Sequence, residues 1–388
     1  RVADVVRYGV IGTGMMGQEH LANLALVPGA EVVALMEPDA AMQAAARALA
    51  PRARCVDTLA GMLAPGDIDA LVIASPNHAH VAQLEEIAAR RPLPVLVEKP
   101  LYIRPEEAPR LAALEAAYPA PLWVAMEYRY MPPIATFLEV LESATGGPTM
   151  LTIREHRFPF LPKVGHWNRF NRTSGGTLVE KCCHFFDLMR LALADAPVRV
   201  MASAGQAVNH LDESYDGEVP DVWDSAYVIV EFARGARAML ELCMYAEGSR
   251  YQEELCAVGP AGKVEAQVPG PSRFWPEHLG APPVPLVTVS PRAPKGPQVV
   301  ESPVDPALLA AGDHNGATFY QHVRFNAAVR GEGPVEVSLR DGWAAVAMGL
   351  AAQESATTGD AVRLAGAPAM MREGGQPADL AAVSRAVP

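Results

Sequence analysis

The chain has 388 residues, half of them apolar, and a net charge of -12 at neutral pH, with no run of eighteen apolar residues. That length suits two domains better than one core; the apolar pattern argues against a membrane span, and the acidic balance against a nucleic-acid partner, which needs a basic face. Five cysteines (Cys55, Cys182, Cys183, Cys243, Cys256) without C-x-x-C spacing read as free thiols of a reducing, cytoplasmic compartment, and the first residues carry no apolar signal-peptide core.

Two patterns alternate over residues 7–126. Short β-branched runs lie at Tyr8–Ile11, Glu31–Met36, Ala70–Ala74, Val95–Glu98 and Leu122–Met126. Helix-like stretches separate them at Met15–Val27, Ala40–Ala50, Ala79–Arg90 and Glu106–Tyr118. Strand alternating with helix predicts an α/β domain with a doubly wound parallel sheet, and near-continuous apolar strands agree with helices on both faces. The rhythm changes after Met126. A helix at Ile134–Ser143, a strand at Met150–Arg157, a polar and aromatic loop through Arg172 and a helix at Gly176–Ala194 follow in turn. Consecutive strand candidates at Val198–Gln206, Ser225–Phe232, Ala236–Tyr245, Tyr251–Val258 and Lys263–Val268 predict a largely antiparallel open sheet in an α+β domain. The Pro-dense stretch 269–306 is expected to be irregular. Helices around Thr318–Arg330 and Leu339–Ser355 close the fold, and residues beyond about Leu364 read as a loose tail.

Gly12-Thr-Gly14-Met15-Met16-Gly17 follows the first strand and opens a helix. Gly12 permits a tight turn, Gly14 lets backbone approach a pyrophosphate, and Gly17 lets helix pack on strand, while the helix N-terminus offers N–H groups to phosphate. Glu37 ends the second strand, where a carboxylate accepts from ribose hydroxyls and repels a 2′-phosphate; NAD is therefore favoured over NADP. The expected organisation is a dinucleotide-binding Rossmann domain over 1–126, a substrate-binding and oligomerisation domain over 127–364, and a tail over 365–388.

Four further segments carry a resemblance. They are Ala74-Ser75-Pro-Asn77-His-Ala-His80, then Glu98-Lys99-Pro100, then Glu127-Tyr128-Arg129-Tyr130 before a proline, and Gly175-Gly-Thr-Leu-Val-Glu180-Lys-Cys-Cys-His184-Phe-Phe-Asp187-Leu. In this order and spacing the chain resembles the Gfo/Idh/MocA family over about residues 7–364. The resemblance implies a nicotinamide-dependent oxidoreductase whose substrate is a sugar or cyclitol hydroxyl. It places Ser75, Asn77, His80, Glu98 and Lys99 beside the cofactor with Met15, Met16 and the three glycines, and implies a homodimer or homotetramer. Glu180 stands where the family has Asp, and Cys182 where it has Gly. Both departures bear on substrate identity more than on reaction type.

Removing a hydroxyl proton while hydride leaves needs a base, and His184 titrates near neutrality. Glu180 lies four residues before it, on one helical face that Asp187 continues, so a carboxylate partner raising the imidazole pKa is expected. Lys99, at the carboxyl edge of the fifth strand, stabilises a developing alkoxide. Tyr128, Arg129, Trp167, Asn168 and Arg172 are the substrate-contact candidates, with Lys99, Glu180 and His184; His314 and Tyr320 are weaker additions. His156, His166 and His184 lack zinc-ligand spacing, so no metal is expected. A transient-redox glycosidase or epimerase that retains NAD, and a non-catalytic sugar sensor, remain rival readings. An antiparallel sheet with few helices should leave one face to bury in a homo-oligomer.

Overall fold

The structure, a computed structural model, describes residues 5–364; the expected tail at 365–388 lies outside them. Strands β1 (Val6–Ile11), β2 (Ala30–Met36), β3 (Arg54–Val56), β4 (Ala70–Ile73), β5 (Val95–Val97) and β6 (Leu122–Val124) form one parallel sheet in the order β3-β2-β1-β4-β5-β6. Tyr8, Val10 and Ile11 on β1, and all of Ala70–Ile73 and Val95–Val97, are buried, because helices cover both faces. The strand order reverses between β1 and β4, the crevice where such sheets take ligands. Strand β3 and the helix Leu59–Leu63 were not expected; both are too short for a periodic signal, and β3 is a half-buried edge. Asp39 caps the helix Ala40–Leu49, accepting from the backbone N–H of Ala41 and Met42.

The second sheet holds β7 (Met150–His156), β8 (Pro197–Gly205), β9 (Ser225–Phe232), β10 (Arg237–Cys243), β11 (Glu253–Val258), β12 (Gly262–Val268), β13 (Leu286–Pro291), β14 (Gln298–Glu301) and β15 (Val362–Arg363). Their order is β14-β13-β12-β11-β7-β10-β9-β8-β15, antiparallel except between β7 and β10. The Pro-dense stretch corrects the expectation of irregular chain: β13 and β14 pair as a hairpin that extends the sheet edge. Its prolines flank the strands (Pro285, Pro297) or end one (Pro291), where no ladder N–H is missed. Residues alternate across this sheet. Leu151, Ile153, Val228, Leu240 and Leu255 are buried beneath helices Pro132–Thr145, Cys183–Leu193 and Leu339–Thr358, while Met150, Tyr227 and Ile229 lie on the open face.

The predicted helix Gly176–Ala194 is two helices, Thr177–Glu180 and Cys183–Leu193, with a turn at Lys181 and Cys182 between them. Helix Ala317–Val329 crosses back to the first sheet, where Tyr8 donates from its phenol to Asn326 at 2.8 Å. That return pins the two sheets around one cleft. Among the described residues no helix is long and apolar enough to cross a membrane.

Candidate functional site

A cleft of about 540 Å³ opens at the carboxyl ends of β1, β2, β4 and β5. Its cofactor wall is built from the glycine turn. Gly12 has φ +83°, and a Cβ there would fall 2.6 Å from the Ser75 nitrogen. A Cβ on Gly17 would fall 2.2 Å from the Gly12 carbonyl, whereas one on Gly14 would meet nothing within 4 Å. So Gly12 and Gly17 are packing requirements, and Gly14 leaves open space at the start of helix Met15–Leu24. No side chain caps that helix, and Met15 and Met16 line the cleft, so its first N–H groups are available to an anion. Glu37 accepts from the backbone N–H of Thr13 at 2.6 Å and of Asp39 at 2.9 Å, which fixes its carboxylate at the cleft with lone pairs to spare. An open glycine cradle, an uncapped helix and a braced carboxylate fit a dinucleotide.

Ser75, Asn77, Glu98 and Lys99 line the same cleft. His80, expected beside the cofactor, sits behind it instead: its ring nitrogens are 2.8 Å from the Pro100 carbonyl and 2.9 Å from the Ser75 carbonyl, and its side chain is fully buried. It ties the two loops that carry Ser75 and Lys99.

Lys99 and Glu180 meet at the cleft, while His184 is buried close by and outside the cleft lining, and the pairing differs from the one expected. Lys99 Nζ donates to the Glu180 carbonyl at 3.0 Å and to its carboxylate at 3.3 Å, and Asn77 donates to the same carboxylate at 3.1 Å. Glu180 is therefore not the partner of His184. The four-residue spacing assumed one continuous helix, and the turn at Lys181–Cys182 rotates the two side chains apart. Burial works against the Lys99 charge, but Glu180 first, with Glu98 and Glu127, holds its pKa above the ordinary lysine value.

His184 stacks on the Tyr128 ring, centroids 4.0 Å apart and planes at 8°, while Lys181 lies over the same ring and donates to its phenol oxygen. Burial, followed by the charges of Lys99, Lys181, His314 and Arg157, pushes the His184 pKa well below its ordinary value, the reverse of the rise expected from a carboxylate neighbour. The imidazole is thus neutral and free to accept a proton, and its Nδ1 has no hydrogen-bond partner. The nearest carboxylate to Nε2 is Glu127, 3.7 Å away. Sequence reasoning missed Glu127 as a site residue. It opens the Glu127–Tyr130 segment that carries the family resemblance, but its charge was passed over.

The substrate-contact candidates divide. Trp167 lines the cleft with Lys163 Nζ 5.5 Å from its ring centroid, and Lys163, also missed, is a second cation at the cleft. Tyr128 is buried and supports His184. Arg129 is a correction: both arms of its guanidinium donate to Asp187 at 2.6 Å, and a third bond reaches the Glu336 carbonyl. Asn168 is another, being buried and donating to the Leu161 carbonyl at 2.9 Å. Arg172 is exposed, paired with Glu218 and lying over the Phe170 ring. Tyr320 packs in the core beside Phe319, whereas His314 does join the cluster, 3.9 Å from Glu127. Among the described residues no group of three or more His, Cys, Asp or Glu side chains is placed to hold a metal.

Residues 6–126 match the family described as oxidoreductase, NAD-binding Rossmann fold (GFO_IDH_MocA), and residues 141–269 its C-terminal alpha/beta domain. The chain is 30% identical over 276 residues to inositol 2-dehydrogenase 3 of Saccharopolyspora erythraea, covering 69% of this chain and 74% of that one. It is 26% identical over 276 residues to the rhizopine catabolism protein MocA of Rhizobium meliloti, covering 70% and 79%. A myo-inositol dehydrogenase from Lactobacillus casei, solved with NAD(H) and myo-inositol, superposes with a TM-score of 0.70 at 23% identity, covering 94% of this chain and 99% of that one. That last likeness is one of fold.

Proposed function

The chain belongs to the Gfo/Idh/MocA family of oxidoreductases, and on that premise we propose that it is an NAD-dependent dehydrogenase acting on a ring hydroxyl of a sugar or cyclitol. The observation that carries the reading is a cleft with a glycine cradle on one side and Lys99, held by Glu180, on the other, with the His184 imidazole buried nearby and its Nδ1 without a hydrogen-bond partner.

In this reading Gly14, Met15 and Met16 hold the diphosphate and Glu37 the adenosine ribose. Bound there, NAD supplies the hydride acceptor. Lys99 donates a hydrogen bond to the substrate oxygen and lowers the cost of its negative charge. His184 takes the hydroxyl proton; a base with a depressed pKa stays unprotonated through neutral pH. Glu180 keeps Lys99 charged and aimed, with Asn77 locking the carboxylate in turn. Trp167 and Lys163 face the polyol ring from the C-terminal domain, which we begin at residue 127 where the first sheet ends. Free Cys182 and Cys183, both buried, suit a reducing cytoplasmic setting.

A panel of myo-inositol, other inositols and aldoses with NAD, followed by NADH absorbance, tests the activity. No NADH from any of them would reject it. Trace NAD sufficing for stoichiometric product would instead favour transient redox chemistry. The open sheet face around Tyr227, Ile229 and Met150 supports a homodimer or homotetramer, which sedimentation of a stable monomer at micromolar concentration would refute.

A further inference from the structure

Among the described residues Glu127 is the carboxylate within 4 Å of His184, and its surroundings are unusual. The residue follows β6, is fully buried, and neither carboxylate oxygen has a hydrogen-bond partner. A buried carboxylate left so costs several kcal/mol unless nearby charge or a proton compensates. Two imidazoles flank it: His184 Nε2 at 3.7 Å and His314 Nε2 at 3.9 Å from the same oxygen, Oε1. Those gaps are too long for direct hydrogen bonds and suit a bridging water or a small side-chain rotation. His314 in turn bonds Glu19 through Nδ1 at 2.7 Å, and Glu19 is braced by the Asp313 N–H and the Thr318 hydroxyl. Exposure rises along the row: the His184 and Glu127 side chains are 1% exposed and His314 is 20%.

Resting on the dehydrogenase reading, we propose that Glu127 is the proton outlet of the site, taking from His184 the proton removed from the substrate and passing it through His314 to solvent. The groups facing it set an order that runs downhill as far as His314, from which release to water is the uphill step. Burial, then Glu98, pushes the Glu127 pKa up to about 7, while His314 and Lys99 oppose the rise. His184 lies well below its ordinary value, so a proton on its ring falls towards Glu127. Against burial, Glu19 lifts His314 to about 9, and against its own burial Glu19 is held at about 2 by His314. The steps balance. The substrate O–H bond breaks as an N–H bond forms on His184, and the hydride leaves the same carbon for NAD. The N–H bond then breaks as an O–H bond forms on Glu127. His314 gives its proton to water and receives that one. Lys99 keeps its charge throughout, and burial pushes the Tyr128 phenol too high to take part.

Glu127→Gln keeps the shape and removes the proton acceptor. Infrared titration of the NAD-loaded protein, with no substrate present, should show a buried protonated-carboxyl band that fades as pH rises through about 7. Because Glu253 is another buried carboxyl pushed up to about 7, Glu127→Gln should remove part of the band, Glu253→Gln a different part, and the double variant all of it. A spectrum unchanged by Glu127→Gln overturns the proposal. With myo-inositol and NAD, turnover of the variant should fall about tenfold to a hundredfold with KM within twofold. Its pH profile should change as well, and Glu127→Asp should recover part of the rate. A raised KM at unchanged kcat would make Glu127 a substrate contact instead and overturn the outlet. Because the infrared reading needs no turnover, a wild type inactive on every polyol sinks the dehydrogenase reading separately.

Discussion

On the cofactor wall every buried polar group named above has its partners: Glu37 with Thr13 and Asp39, His80 between two carbonyls, Asn77 with Ser174 and Glu180, Glu98 with His20. Across the cleft, Glu127, one nitrogen of His184, and one oxygen each of Glu155 and Glu253 have none. Lys181 bridges Glu155 at 2.8 Å, so even the salt bridge beneath the base is only half satisfied. A satisfied network is rigid and fixes a shape before the ligand arrives. Groups left short of partners hold charge and proton affinity ready for a reacting molecule. One wall is built to bind and the other to react.

The sharpest way to break that division is His184→Ala. Turnover should fall roughly a hundredfold to ten-thousandfold, the usual range for acid–base help, with NAD affinity unchanged. A matching loss of NAD binding would show the walls are not separable. In Glu127→Gln, where the outlet group that titrates near 7 is gone, the residual rate should hold below pH 6.5, because burial and the surrounding cations keep the His184 imidazole neutral there. An acid limb in that variant with its midpoint above 6.5 would contradict the depressed pKa.

Arg129→Leu strikes a satisfied pair inside the reactive wall. Its partner Asp187 would be left buried and unpaired, which should cost about 3–5 kcal/mol in urea unfolding. The folded fraction should keep its KM. Glu37→Ala tests the binding wall: NAD affinity should drop about tenfold to a hundredfold, as removing a buried hydrogen-bonding partner costs about 1–3 kcal/mol, and the preference over NADP should narrow. Turnover at saturating NAD should stay within twofold.

A smaller effect is set by pH. The His314 imidazole gains a partner on folding, so its contribution is complete below its ordinary 6.5 and is lost as pH rises through about 9. Glu19, lowered to about 2, contributes above its ordinary 4.5 and loses that as pH falls. The melting-temperature gap between wild type and His314→Asn should therefore be widest between pH 4.5 and 6.5 and close above 9. A gap that widens in alkali would rule out the pair.

The same division explains what the sequence disclosed. Gly12, Gly14, Gly17 and Glu37 act through local backbone geometry, so spacing alone located them, and β1, β2, β4, β5 and β6 were legible as apolar runs. Glu180 and His184 were found but wrongly paired, because a two-residue turn inside an apparent helix leaves no periodic trace. Glu127 lay in a segment already singled out, but its neighbours His184 and His314 are far along the chain, and Lys163 matters because the fold brings its loop to the cleft. His20 meeting His322 at 2.8 Å, 302 residues away, is a contact of the same kind. Strands β13 and β14 were hidden by prolines that in fact flank them.

Arg172 gives the smallest expected effect and the cleanest control, because sequence reasoning set it beside Arg129 as a sugar contact. The two arginines now differ in every respect that matters. Arg129 is 6% exposed and held by a carboxylate that is 1% exposed; Arg172 and Glu218 are 58% and 55% exposed. Water screens the second pair, so it contributes at most about 1 kcal/mol, and the Phe170 ring beneath the guanidinium adds little at an exposed site. Arg172→Ala should leave the melting temperature within a few degrees of wild type and leave kcat and KM unchanged. Both should be insensitive to added salt, since the pair is already screened. A tenfold rise in KM for myo-inositol, with stability intact, would mean that the 163–172 loop swings Arg172 over the cleft when substrate binds. The reactive wall would then be assembled in part by the ligand, and the contrast between a prepared binding side and a prepared reacting side would hold for the cofactor alone.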